Sequence, residues 1–94
     1  MDVIKQKIEA RGRLSPEECF ALLNSRDFEL IRQFISYSHF DRQSEPEFIK
    51  LGNLGLIESY IRQYLLVSEA ETEFERVASP DLIKLYERLY DNWD

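Results

Sequence analysis

Leu14-Ser15-Pro16-Glu17-Glu18-Cys19-Phe20-Ala21-Leu22-Leu23-Asn24-Ser25-Arg26-Asp27-Phe28-Glu29-Leu30-Ile31-Arg32-Gln33-Phe34-Ile35 decides the fold, because its pattern returns twice, each time 26 residues further on. Leu14, Phe40 and Leu66 open three segments at that spacing. Leu22 aligns with Phe48 and Phe74, Leu30 with Leu56 and Leu82, Ile31 with Ile57 and Ile83, and Phe34 with Tyr60 and Tyr86. Self-similarity at a fixed period of about 20–50 residues marks a repeat architecture, in which one unit cannot bury its apolar face alone.

Each unit reads as two short helices joined by a tight turn. Ser15 is the expected N-cap of the first helix, Pro16 suits the first helical position, and Glu18 completes a capping box. Ser68-Glu69-Ala70-Glu71 carries a similar start signal in the third unit. In the second unit Asp41 and Ser44 compete for that place. The second helix of every unit is expected to start at Asp27, Asn53 and Ser79, all good capping types at equivalent positions. Apolar residues at i, i+1, i+4 and i+5 in these second helices make a wide stripe, so they are the more buried partners. One further helix, from Asp2 to about Arg11 with Val3, Ile4 and Ile8 as its stripe, closes the N-terminal end.

The expected fold is therefore all-α: a right- or left-handed short α-solenoid of three helical hairpins (14–39, 40–65 and 66–94) preceded by a capping helix (1–13). It implies seven helices of roughly 9–13 residues, marginal alone and dependent on tertiary packing.

With its units aligned, the chain reads Leu14-Ser15-Pro16-Glu17-Glu18, Leu22-Leu23, Arg26-Asp27-Phe28-Glu29-Leu30-Ile31 and Phe34-Ile35. This resembles short helix-turn-helix repeat arrays of uncharacterised bacterial proteins and is similar in kind to HEAT and variant leucine-rich repeats. The resemblance implies a stacked helical fold and supplies no catalytic residue. Gly-Asn of the pattern is kept only at Gly52-Asn53; Arg26-Asp27 and Ala78-Ser79 depart from it.

Composition limits the function classes. The formal charge of −6, from 12 basic and 18 acidic residues, argues against nucleic acid or an anionic membrane as partner, since both need a basic footprint. One cysteine, Cys19, forbids an internal disulfide and a Cys-rich zinc site. Cys19 aligns with Glu45 and Glu71, so its place is polar elsewhere in the array and Cys19 is expected to be partly exposed. The sole histidine, His39, reads as a turn residue or helix C-cap rather than a catalyst. No signal-peptide run or membrane-length apolar stretch is present, which sets the expected location as cytoplasmic. No cofactor or metal is expected.

The expectation is a non-enzymatic module that binds a protein or peptide, with a homodimer as a further possibility. Its candidate contact residues are Tyr64, Tyr90 and Trp93, as aromatic anchors, and Glu69 and Glu73, as a docking patch for a basic partner. An acidic, antitoxin-like inhibitor occupying a basic site is the alternative, and a self-assembling structural module another.

Overall fold

A computed structural model describes residues 2–90. Among them are seven α-helices and no strand: α1 (Asp2–Glu9), α2 (Pro16–Ser25), α3 (Phe28–Ile35), α4 (Glu45–Lys50), α5 (Leu54–Ile61), α6 (Ser68–Val77) and α7 (Pro80–Leu89). The helices hold six to ten residues: α2, α6 and α7, with ten each, fall in the expected range, and the other four are shorter.

Local sequence explains most of the boundaries. Ser15 Oγ accepts the N–H of Glu18 at 3.2 Å, and the Glu18 carboxylate accepts the N–H of Ser15 at 2.8 Å, which completes the expected capping box. Asp27, Asn53 and Ser79 cap α3, α5 and α7 by accepting the N–H groups of Leu30, Leu56 and Leu82 at 3.2, 3.2 and 3.3 Å. Of the two competing starts of the second unit, Asp41 supplies the capping bonds, while Ser44 stands at the N-cap position of α4 without a side-chain cap bond. The Asp41 carboxylate accepts the N–H groups of Gln43 and Ser44 in a preceding turn, and the helix proper begins at Glu45. In the third unit the start signal is displaced by one residue. Ser68 is already helical, and the capping position belongs to Val67, which has no side-chain acceptor to offer.

Helix exits differ. Gly52 takes a left-handed φ of 74°, as suits a residue without Cβ, and Arg26 takes φ of 55° at the equivalent place. Ala78 stays extended, so the third turn follows another path.

Packing alternates along the chain. α1 packs on α3 and α3 on α5, while α2 packs on α4 and α4 on α6; α2 also meets α3. The molecule measures 38 × 20 × 20 Å. A single core runs its length, with Ile8, Leu22, Ile31, Phe34, Phe48, Ile57, Tyr60, Phe74 and Tyr86 all at most 3% exposed. Cys19 is only 2% exposed, which overturns the expectation that it is partly exposed, and Glu45 at the matching place is equally buried. That expectation took the glutamates as a mark of solvent; the carboxylate of Glu45 is instead satisfied inside the protein.

Candidate functional site

Three interior polar contacts recur at a separation of 26 residues. The Tyr60 phenol, on α5, donates to the Glu45 carboxylate and accepts the N–H of Phe40 at 3.0 Å. Tyr86, on α7, donates to Glu71 at 2.9 Å and accepts the N–H of Leu66 at 3.1 Å. Tyr64 donates to the Ile35 carbonyl at 3.4 Å, and Tyr90 to the Ile61 carbonyl at 2.7 Å. The other oxygen of Glu45 accepts the N–H of Val67, the residue before α6, at 2.7 Å, so this carboxylate also holds the start of the next unit. Phe34, on α3, and Cys19, on α2, occupy the matching places in the first unit, where the pair is apolar.

Burial governs the ionisation of these groups. Lost hydration raises the Glu45 pKa, against the lowering effect of its bonds from Tyr60 and Val67. Burial pushes both the Tyr60 and the Tyr86 phenol well up, and the neighbouring glutamate charges add to the effect. The phenols therefore stay protonated donors. Cys19 is pushed up to about 11, first by burial and then by the Asp41 charge, so it is not an activated thiol.

Comparison with protein-family models, curated proteins and solved structures returns no match.

The candidate contact residues divide. Tyr64 is half-buried, with its ring 5.0 Å from Tyr60 and 5.5 Å from His39. Tyr90 is half-buried against Tyr86 at 5.0 Å. Both phenols bond to the protein's own backbone. Glu69 is exposed and paired with Arg42 at 3.0 Å, which holds its carboxyl down at about 2. Glu73 is half-buried on α6, where its charge adds to the bond and charge of Glu47 in raising the Lys50 pKa. Trp93 lies outside the described residues.

Two hollows lie along the edge where the helix pairs connect, each of about 340 Å³. Arg13, Leu14, Cys19, Ser38 and His39 line the first; His39, Phe40, Glu45, Tyr64 and Leu65 line the second, 26 residues on in each case. The second hollow brings Tyr64 together with Arg42 and so with Glu69, and Leu65 stands over it 56% exposed. Tyr90 and Glu73 are not brought there.

A third hollow, of about 300 Å³, lies between α5 and α7. Leu54, Gly55 and Arg62 form one wall, and Asp81, Leu85 and Arg88 the other. The Tyr90–Ile61 bond joins the C-terminal ends of α5 and α7, so Arg62 and Arg88 share one end and Asp81 marks the other.

Sequence reasoning missed Leu65, Gly55 and Arg88. Gly55 carried a usable signal, because a glycine near a helix start holds the place of Glu29 and Asp81. Among the described residues no cluster of three or more His, Cys, Asp or Glu could hold a metal ion, and no helix is long and apolar enough to cross a membrane.

Proposed function

We propose that the chain is a short α-solenoid of three helical hairpins behind a capping helix, and that it is a non-enzymatic module binding a protein or peptide. The alternate packing of the helices supports the solenoid, as do the tyrosine bonds repeated at the sequence period. A bond network reproduced in register is what stacked copies of one unit require.

One observation carries the binding reading. Core places such as Leu22/Phe48/Phe74 and Leu30/Leu56/Leu82 stay apolar from unit to unit, while exposed places on the second helices and at their C-caps change in charge. Glu29, Gly55 and Asp81 share one such place, Arg32, Glu58 and Lys84 a second, and Ser36, Arg62 and Arg88 a third; all nine are exposed. The fold constrains the first set and leaves the second free to suit a partner, and solenoids use extended surfaces of this kind. The acidic-inhibitor alternative gains little, because Glu69 and Glu71 are engaged within the chain.

Selection of phage-displayed random peptides on the immobilised protein tests the reading. Enrichment of clones whose binding shifts amide resonances at the exposed positions supports it. Failure to enrich any clone over an unrelated helical protein overturns it. Binding that persists in high salt fits apolar and aromatic contacts, whereas a steep loss returns the acidic-inhibitor alternative.

A further inference from the structure

The α5–α7 hollow differs from a casual surface dip in two respects. Its glycine is not required by the backbone. Gly55 has no left-handed φ, and a Cβ there would meet only Asn53 Oδ1 at 3.6 Å, an ordinary contact. A glycine in a helix disfavours the helix, so its benefit lies in the space above it, where another backbone can approach closely. Leu54, 40% exposed, and half-buried Leu85 flank that space, over buried Leu82.

The charges around it are ordered. Asp81 and Arg88 make no ion pair among the described residues. They lie seven residues apart on α7, about 10 Å along the helix axis. Glu58 and Arg62 pair with each other on the opposite wall at 3.0 Å. The hollow thus has Leu54, Gly55 and Leu82 beside an unpaired carboxylate at the helix starts, Leu85 facing the Arg62-paired Glu58 in its middle, and an unpaired guanidinium at the far end.

We propose that this groove docks an extended peptide segment with a basic residue for Asp81, an acidic residue for Arg88 and an apolar side chain between them. An extended chain rises about 3.3 Å per residue, so the two charges lie about three residues apart. The peptide backbone passes over Gly55 beside Asp81, and the apolar side chain rests on Leu82 and Leu85. The proposal rests on the peptide-binding reading and names its site and ligand chemistry.

Displayed peptides selected on the wild-type protein are compared on three surface variants: Gly55→Glu, Arg88→Glu and Leu65→Ser. Gly55→Glu installs the side chain found at Glu29 and fills the groove. Enriched peptides carrying opposite charges about three residues apart, lost on Gly55→Glu, weakened about fivefold or more on Arg88→Glu at low salt and unchanged on Leu65→Ser, support the proposal. Amide resonances of Leu54, Gly55, Leu82 and Leu85 shift with them. Enriched peptides indifferent to Gly55→Glu and lost on Leu65→Ser overturn this groove but uphold a binding module at the connection edge. No enrichment overturns both. Helical circular dichroism equal to wild type verifies that each variant is folded.

Discussion

The Tyr60 phenol donates its proton to the Glu45 carboxylate while accepting the backbone N–H of Phe40, so one buried side-chain pair ties the α5 helix to the start and body of its own unit. Since Glu45 also accepts the N–H of Val67, the same pair reaches the next unit. Tyr60→Phe leaves a buried carboxylate oxygen and a buried N–H without their partner, at a cost of about 1–3 kcal/mol. The place of the pair in the first unit is held by Phe34 and Cys19, so Tyr60→Phe with Glu45→Cys recreates an apolar pairing the fold already tolerates. Urea unfolding of the single and double variants is expected to give a double-variant loss smaller than the sum, by about 0.5–3 kcal/mol. Strict additivity would show the two side chains to be energetically independent.

Burial raises the Glu45 pKa, with Asp41 adding to the rise and His39 opposing it. Between the ordinary carboxylate value and this raised value the folded protein binds more protons than the unfolded chain, so this group makes stability fall as pH rises through that window. Glu69 acts oppositely: held down at about 2 by Arg42, it contributes stability that is lost as pH falls toward that value. Urea midpoints measured against pH should lose the first slope in Glu45→Gln and keep it in Glu69→Gln. An unchanged slope in Glu45→Gln would assign that pH dependence elsewhere.

Arg26 adopts the left-handed conformation that Gly52 adopts at the equivalent helix exit. A side chain there is strained, so Arg26→Gly is expected to stabilise the protein and Gly52→Ala to destabilise it, each by about 1 kcal/mol. Thermal unfolding of the two variants measures both signs.

Asp27, Asn53 and Ser79 each accept the N–H three residues on. Replacing any one with Ala should cost about 1 kcal/mol and replacing it with Gly only a few tenths. Chemical denaturation of the six variants checks this, and a large loss at only one site would mark a tertiary role beyond capping.

Cys19 is buried and its thiol pushed up to about 11. A disulfide reagent at neutral pH should therefore label it slowly in the folded protein, at the rate of structural opening, and rapidly in urea. Labelling as fast as that of a free thiol in the native state would contradict its burial.

The sequence by itself determined the all-helical class, the three capped second helices and most of the core. Those features depend on neighbours within a few residues: a cap and its third N–H, or an apolar stripe at helical spacing. Tertiary structure alone decided what became of Glu45 and Glu71. A glutamate reads as a solvent residue until the tyrosine 15 positions later folds onto it, and no local pattern connects the two. It also decided that Tyr64 and Tyr90 bond to backbone carbonyls 29 residues earlier, and that Glu69 meets Arg42 across 27 residues. The grooves were illegible for the same reason. Each is the space left between helices distant in sequence, and its shape exists only once they pack.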